Sequence, residues 1–232
     1  MEIIAEIGQN HNGDISLAKE LIHAASENGA DVAKFQVFDA KETFGIEGND
    51  WFEYNQKTQL KRDDVNILSE ECCKLNIEFM ASVFHKRYID WLEGVNVKRY
   101  KIASREIKNK ALIEAHIKTS KPLIISLGFW DDDQFPNINH SAEVDFLYCI
   151  SKYPTNIEDL NFSRVDFNKY SGFSDHTIGN NASKIAISRG ARIIEKHFTL
   201  DKGMHGPDHQ GSMTPDELHD LNKFRNDFLA SL

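Results

Sequence analysis

Residues 2–38 read EIIAEIGQNHNGDISLAKELIHAASENGADVAKFQVF and decide the fold prediction. Both ends of this stretch are short apolar runs, EIIAEIG and VAKFQVF, which are typical of buried strands. The middle predicts an amphipathic helix, with Asp14 as its N-cap and Gly29 as its C-terminal stop. The helical spacing is carried by four apolar side chains, Leu17, Leu21, Ile22 and Ala25. The stretch therefore predicts a strand–helix–strand unit.

The same alternation continues to the end of the chain. Strands are predicted near residues 2–8, 32–38, 78–84, 99–104, 123–128, 145–151, 170–175 and 192–198. Most of them are apolar at consecutive positions, as in strands that are buried on both faces. Eight such units favour a (β/α)8 TIM barrel that occupies residues 1–232 as a single catalytic domain, and a doubly wound open sheet is the alternative. Two helices look reduced, in the irregular stretches 129–144 and 154–169.

Composition excludes several classes of protein. The net charge of −9 disfavours nonspecific binding to nucleic acid or to a membrane surface. No apolar run approaches the roughly 20 residues that span a bilayer, and the first ten residues do not resemble a secretory signal. The three cysteines, two of them adjacent, argue against a disulfide framework. We expect a cytoplasmic protein.

Polar side chains gather where the predicted strands end. In a barrel, those ends and the loops that follow them build the active site. Leaving buried polar atoms without partners costs about 1–3 kcal/mol each, which favours a use for them. The candidates in chain order are Glu6, Lys34, Gln36, Ser82, Lys101, Ser104, Glu106, Ser126, Ser151, Tyr153, Ser174, Asp175, His176, Glu195, Lys196 and His197.

Two lysines lie inside apolar strands, where an ammonium group needs an anionic partner. Lys34 and Lys101 could form structural ion pairs with Glu6 or Glu106. The presence of several serine hydroxyls on neighbouring strands favours the other interpretation, a site for phosphate or carboxylate.

Two histidines end neighbouring strands of the predicted barrel. His176 and His197 could converge, and two imidazoles with carboxylates and water would suit manganese, iron, cobalt or zinc. A single histidine at a strand end is more often a hydrogen-bonded structural residue, but a pair favours a metal site. By contrast His23, His116 and His219 fall on predicted helices, and we expect them to be solvated.

Eight motifs run in order along nearly the whole chain. They are AEIGQNHNGD (5–14), AKFQ (33–36), YKIAS (100–104), ISLG (125–128), CISKYPT (149–155), GFSDHTIG (172–179), ARIIEKHFTLD (191–201) and GPDHQGSMTPDEL (206–218). Together they resemble the N-acetylneuraminate (sialic acid) synthase family, which includes related legionaminate, pseudaminate and spore-coat polysaccharide enzymes. The resemblance implies a barrel that condenses phosphoenolpyruvate with an N-acetylmannosamine-like sugar aldehyde and releases phosphate, forming a 2-keto-3-deoxy sugar acid.

The resemblance also implies roles for individual residues. His176 and His197 would ligate a divalent metal, manganese or magnesium. Glu6 and Asp208 would face the sugar and the metal, and Glu106 would lie near the reacting carbons as a second catalytic carboxylate. The substrate-binding set implied by position is Lys34, Gln36, Ser82, Lys101, Ser104, Ser126, Ser151, Tyr153 and Ser174.

The chain departs from the family pattern in four ways. Ser151 stands where many members have Asn, Arg105 where Gly is usual, and Leu127 where Thr is usual. Members typically continue into a small antifreeze-like cap domain, whereas these residues cover the barrel domain alone. We therefore expect either a homodimer or a separate cap-domain protein as partner. The functional alternatives are an aldolase for 2-keto sugar acids and a barrel that binds ligands without catalysis.

Overall fold

The computed structural model describes residues 1–45 and 50–232 and shows a closed barrel of eight parallel strands. Each strand pairs with its neighbours in chain order, and β8 pairs with β1. The strands are β1 (Glu2–Gly8), β2 (Val32–Val37), β3 (Glu78–Val83), β4 (Tyr100–Ile102), β5 (Leu123–Ser126), β6 (Val144–Cys149), β7 (Gly172–Asp175) and β8 (Ile193–His197). The predicted barrel is confirmed, and the alternative of an open sheet is wrong.

Helices surround the barrel, and their ends match the sequence signals. Asp14 caps α1 by accepting hydrogen bonds from two backbone N–H groups, and Thr214 with Glu217 forms a capping box at α8. The helices are α1 (Ile15–Glu27), α2 (Ala40–Phe44), α3 (Phe52–Thr58), α4 (Arg62–Lys74), α5 (Ile89–Gly94), α6 (Lys110–Ile117), α7 (Asn181–Ser188) and α8 (Pro215–Ala230). Among the described helices, none has the length and apolar content needed to cross a membrane.

The two reduced units are also found. Residues 127–143 connect β5 to β6 through turns, and residues 150–171 connect β6 to β7 through two short 3-10 helices, Ile157–Leu160 and Phe162–Arg164. Neither connection contains an α-helix among its described residues, and Phe129, Ser151 and Tyr153 in these connections line the cavity described below.

The barrel interior is closed at the amino-terminal ends of the strands. Ile4, Val32, Met80, Ile124, Leu147 and Ile193 form one buried apolar cluster inside the barrel. Arg99 precedes β4 and donates hydrogen bonds of 2.6–2.9 Å to the carboxylates of Glu2 and Glu78. Because this end is filled by packed side chains and ion pairs, ligands reach the interior only from the carboxyl ends.

One histidine expectation was wrong. His116 on α6 is fully buried, not solvated, and its Nδ1 lies 2.8 Å from the carbonyl oxygen of Leu112. Its ring packs edge-on against Tyr100 with centroids 4.9 Å apart. Burial lowers the pKa of His116 to about 4, so the side chain is neutral at pH 7. His23 and His219 are exposed, as predicted.

Candidate active site

A half-open cavity of about 530 Å³ lies at the carboxyl ends of the strands. This volume is within the usual range for small-molecule sites. All eight strands, or the residues that directly follow them, contribute polar side chains to its wall. These are Glu6, Lys34, Ser82, Lys101, Ser126, Ser151, Ser174 and Glu195. The convergence of polar strand ends that the sequence predicted is therefore present.

The cavity floor is a network of buried ion pairs. Lys34 Nζ lies 2.7 Å from Glu6 Oε2 and 3.6 Å from Glu195 Oε2. Lys101 Nζ lies 3.4 Å from Glu195 Oε1 and donates a 2.7 Å hydrogen bond to Ser126 Oγ. Two ammonium groups thus face two carboxylates, and the floor is close to electrically neutral. The structural ion pair considered for Lys34 exists with Glu6, and both lysines also line the cavity.

The charges in this network shift one another's pKa. Burial opposes ionisation of Glu195, but Lys101 and Lys34 outweigh that cost and lower its pKa. Burial also disfavours the charged form of Lys34, yet Glu195 and Glu6 raise its pKa above the ordinary value. For Lys101 burial dominates, helped by repulsion from Lys34, and its pKa is lowered despite Glu195. Glu195 is therefore the ionised centre of the floor at neutral pH.

Serine hydroxyls and one glycine shape the wall beside the lysines. Ser82 Oγ accepts a 3.3 Å hydrogen bond from Lys34, and Ser174 Oγ donates one of 3.0 Å to Glu195. Gly128 N donates to Ser104 Oγ at 3.0 Å. A Cβ at Gly128 would lie 2.2 Å from Ser151 Oγ, so only glycine allows this close approach.

A bulge aims Glu6 into the cavity. The register of β1 against β2 shifts between Glu6 and Gly8, and Gly8 takes a φ of 54°, in the left-handed region. Glu6 Oε1 accepts a 2.8 Å hydrogen bond from Gln36 Nε2. Glu6 is therefore held from two directions, by Gln36 and by Lys34.

The two predicted histidines meet on the opposite wall. The ring centroids of His176 and His197 are 6.0 Å apart, and Tyr153 stacks on His176 at 4.0 Å. His176 Nδ1 lies 2.7 Å from the carbonyl oxygen of Ile150, which leaves Nε2 available. His197 Nδ1 is buried without a hydrogen bond, and Asp208 Oδ2 lies 3.8 Å from it.

These donors fit a metal ion that keeps open coordination positions. Among the described residues, no group of three or more His, Cys, Asp and Glu side chains is arranged to hold a metal ion. A closed structural site with four protein ligands is therefore not formed here. Two imidazoles, one with a buried nitrogen that lacks a partner, could hold a divalent ion whose other ligands are water and substrate.

Cys149 lies behind His176. Its Sγ is 3.8 Å from His176 Nδ1, and both side chains are largely buried. Burial disfavours charge on either group, but their attraction lowers the pKa of Cys149 and raises that of His176. Cys149 is a buried residue of β6, and this contact joins it to the site.

A second buried ion pair lies directly beside the histidines. Asp175 and Lys196 face each other in the β7–β8 ladder, with Lys196 Nζ 3.1 Å from Asp175 Oδ2 and both side chains fully buried. Thr177 donates from its N–H and hydroxyl to Asp175 Oδ1 at 2.8 and 2.7 Å, and Ser183 Oγ donates to Oδ2. Each member of the pair immediately precedes one histidine in the chain.

One predicted site residue lies away from the cavity. Glu106 ends the 3-10 turn Ser104–Glu106 and is absent from the cavity lining among the described residues. Its Oε2 accepts a 2.8 Å hydrogen bond from Asn109, and Oε1 lies 3.7 Å from Arg105 Nε. The turn after β4 directs this carboxylate toward the start of α6, so its position does not match a place beside the reacting carbons. The remaining predicted residues, including Asp208, do line the cavity.

Sequence reasoning missed an amide pair at the mouth. Gln9 Nε2 donates a 3.1 Å hydrogen bond to Asn55 Oδ1, and both side chains are buried and line the cavity. This bond leaves one amide donor and one acceptor for a ligand, whichever way the two amides are assigned. Asn55 lies on α3, inside the long β2–β3 connection, and no strand-end pattern could have indicated it.

Comparison with known proteins identifies the family. The chain matches the NeuB family over residues 21–230 and belongs to it. It is 38% identical to the N,N'-diacetyllegionaminic acid synthase of Legionella pneumophila over 247 residues, covering 94% of this chain and 69% of that protein. It is 32% identical to the human N-acetylneuraminate-9-phosphate synthase, covering 94% of this chain and 67% of that protein.

Solved structures agree with this assignment. The N-acetylneuraminic acid (sialic acid) synthetase of Leptospira borgpetersenii serovar Hardjo-bovis superposes with a TM-score of 0.90 at 30% identity. The match covers 99% of this chain and 84% of that chain. A truncated 3-deoxy-D-arabino-heptulosonate 7-phosphate synthase from Thermotoga maritima superposes with a TM-score of 0.72 at 16% identity, which shows the shared barrel fold.

Proposed function

We propose that the protein joins phosphoenolpyruvate to the open-chain aldehyde of an N-acetylmannosamine-like sugar, giving a 2-keto-3-deoxy sugar acid and inorganic phosphate. Its relatives include synthases of diacetyllegionaminic acid, pseudaminic acid and N-acetylneuraminate 9-phosphate. The observation that carries the proposal is the convergence of two lysines and several serine hydroxyls opposite a histidine pair. This arrangement provides an anion site and a candidate metal site in one cavity.

Phosphoenolpyruvate binds at the lysine side of the cavity in this proposal. Lys34 and Lys101 are held by Glu6 and Glu195, but four of their contacts are long, between 3.3 and 3.6 Å. Long contacts are weak, so phosphate or carboxylate oxygens of the substrate can replace them. Hydroxyls of Ser104, Ser126 and Ser174, with Ser82 and Ser151, supply further hydrogen bonds to the anion.

The histidine side holds the divalent ion in this proposal, manganese or magnesium, and the imidazole donors favour manganese. His176 and His197 would hold the ion, which would supply positive charge to stabilise the aldehyde oxygen as that oxygen becomes negative. The chain's own groups orient the ligands: the carbonyl of Ile150 fixes the His176 ring, and Asp208 lies beside His197.

Carboxylates of the cavity then serve the proton transfers. The methylene carbon of phosphoenolpyruvate attacks the aldehyde carbon, and the neighbouring carbon accepts a hydroxyl from water before phosphate leaves. The aldehyde oxygen gains a proton to become a hydroxyl, and the hydroxyl added from water gives up its remaining proton as phosphate leaves and the 2-keto group forms. A carboxylate must take the first proton, the one that water loses as it adds. We assign this role to Glu6, which lines the cavity and is oriented by Gln36 and Lys34, rather than to Glu106.

The acceptor sugar lies at the mouth in this proposal. Gln9 and Asn55 present one donor and one acceptor, which match neighbouring sugar hydroxyls. Asp208 adds a carboxylate on the same side as His197. Tyr153 lines the same mouth and is 60% exposed. The partner expectation, a homodimer or a separate cap-domain protein, stays a prediction, and light scattering of the purified chain tests the first form.

The experiment incubates the full chain with phosphoenolpyruvate, manganese and a panel of N-acetylated hexosamines. We expect phosphate release together with a 2-keto acid, detected by mass spectrometry, for at least one sugar. Lys101→Met should abolish the reaction, whereas Lys108→Met, a lysine with a 60% exposed side chain two residues beyond the Ser104–Glu106 turn, should not. Phosphoenolpyruvate binding without phosphate release for any aldose would refute the proposal. Pyruvate formed from a 2-keto sugar acid would instead indicate an aldolase.

A further inference from the structure

Arg105 is a cation at the cavity wall that the mechanism above does not use. It lies in the 3-10 turn after β4, lines the cavity, and has a side chain that is 42% exposed. Its guanidinium carbon lies 5.1 Å from the ring centroid of Phe44 and 5.6 Å from that of Phe84. Nη2 donates a 2.9 Å hydrogen bond to the carbonyl of Thr43. The side chain is therefore held in one place at the cavity edge.

The charge of Arg105 is less neutralised than that of the lysines in the same cavity. Those lysines have carboxylate oxygens at 2.7 to 3.4 Å, in the pairs Lys34–Glu6, Lys101–Glu195 and Lys196–Asp175. Among the described residues, the one carboxylate within 4 Å of the Arg105 guanidinium is Glu106, at 3.7 Å, and that group already accepts a hydrogen bond from Asn109. Arg105 Nη1 makes no hydrogen bond with any residue of the described ranges. This guanidinium can therefore still bind an anion.

The position of Arg105 in the barrel indicates which substrate it would contact. In the closed ring of eight strands, β4 lies four strands from β8 and hence across the cavity from His197. The proposed acceptor side lies near β8 and β1. Asp208 follows β8, and Gln9, which is hydrogen-bonded to Asn55, follows β1. Arg105 instead directly follows Ser104, in the turn after the strand that carries Lys101, on the side proposed for phosphoenolpyruvate.

We propose that Arg105 is an additional binding residue for phosphoenolpyruvate, contacting its phosphate or carboxylate at the cavity edge above Lys101. The inference rests on the proposed function, because it needs phosphoenolpyruvate as the bound anion. Glycine, which is usual at this position in the family that the chain resembles, could supply no such charge. The positive charge of Arg105 would add attraction for the anion, because the charges of Lys34 and Lys101 are already neutralised by Glu6 and Glu195.

Arg105→Gln should weaken phosphoenolpyruvate binding about tenfold, which corresponds to about 1.4 kcal/mol. The difference should shrink as ionic strength rises, because exposed charges are screened by salt. Since Arg105 lies at the edge and not at the reacting carbons, KM for phosphoenolpyruvate should rise while kcat stays nearly constant. Arg105→Lys should restore part of the affinity, because it keeps the charge and loses the planar pair of donors.

The test measures binding of phosphoenolpyruvate by calorimetry, with manganese and without a sugar, for wild type, Arg105→Gln and Arg105→Lys. Lys108→Gln is the matched control. It also removes one positive charge, three residues along the chain from Arg105, and Lys108 lies outside the described cavity lining. Equal thermal unfolding of the four proteins confirms that each is folded. A tenfold loss confined to Arg105→Gln, with partial recovery in Arg105→Lys, supports the inference.

Other outcomes overturn it in distinguishable ways. Equal dissociation constants for wild type and Arg105→Gln would remove Arg105 from phosphoenolpyruvate binding while leaving the proposed function intact. A rise in KM for the sugar alone would assign Arg105 to the acceptor. Wild-type protein that binds no phosphoenolpyruvate would overturn the proposed function itself, and the inference with it.

Discussion

Glu195→Gln isolates the electrostatic contribution of the cavity floor. The substitution keeps the size of the side chain and its hydrogen bond with Ser174, but it removes the negative charge that faces Lys34 and Lys101 at 3.6 and 3.4 Å. Removing one partner of a buried ion pair costs about 3–5 kcal/mol, because a buried charge is left uncompensated. Lys34 keeps Glu6 at 2.7 Å, so we take the lower end, about 3 kcal/mol.

That loss is measurable by thermal and urea unfolding at pH 7. For a chain of this size, 1 kcal/mol shifts Tm by about 2–4 °C, so Tm should fall by about 6–12 °C. The control is Asp131→Asn, which makes the same chemical change in an exposed ion pair with Lys108 and should shift stability by less than about 1 kcal/mol. Equal stability of Glu195→Gln and wild type would refute the network described for the floor.

The same substitution predicts a pH effect with a definite sign. Lys101 and Lys34 lower the pKa of folded Glu195 below its unfolded value near 4.3. The folded state therefore gains stability from the ionised carboxylate above that unfolded value, and loses it as the pH falls through the lower folded pKa. Unfolding free energies measured from pH 5 downward should decline less steeply in Glu195→Gln than in wild type. A parallel decline in both proteins would contradict the assignment.

Three further predictions concern the metal pair, the wall glycine and a buried histidine. His176→Ala and His197→Ala should each weaken calorimetric Mn²⁺ binding by at least about a hundredfold, because each removes one of the two proposed protein ligands. Gly128→Ala should destabilise the fold by about 1–3 kcal/mol, since its methyl group would lie 2.2 Å from Ser151 Oγ, and adding Ser151→Ala should recover part of that loss in urea unfolding. His116→Phe should reduce the loss of stability between pH 6.5 and about 4, because the unfolded state protonates first when burial holds the folded pKa near 4.

Each of these has a result that would count against it. Unchanged Mn²⁺ affinity in both histidine variants would remove the pair as a metal site. A Gly128→Ala variant as stable as wild type would mean that Ser151 moves aside without a measurable loss of stability. A pH dependence of unfolding that is identical in His116→Phe and wild type would show that His116 is not protonated on unfolding.

The strands were predictable from sequence because burial on both faces leaves a plain pattern. Runs such as EIIAEIG and VAKFQVF fit strands that are covered on both faces, and in a parallel barrel the ends of such strands lie at one rim. Helix ends were predictable for a similar reason, since the caps Asp14 and Thr214 satisfy local N–H groups.

Side-chain direction beyond a strand end was not predictable. Glu106 is two residues past Ser104, and a single 3-10 turn directs it away from the cavity. The Gln9–Asn55 contact joins residues 46 positions apart through α3, a packing contact without a sequence period. The positions of Glu106 and Asn55 depend on loop geometry and tertiary packing, which local patterns do not encode. His116 differs, because it lies one helical turn after Leu112 on the buried face of α6, a spacing that the sequence does show.

The Asp175–Lys196 pair has a consequence for the proposed metal site. Both charges lie fully buried in the β7–β8 ladder, and each precedes a histidine by one residue. The backbone separation of His176 and His197 is thus set by an interaction that needs no ligand. A protein stripped by a chelator should keep its two imidazoles at the same spacing and reload without refolding. Metal removal would then be reversible, and the metal-free protein would keep its folded structure.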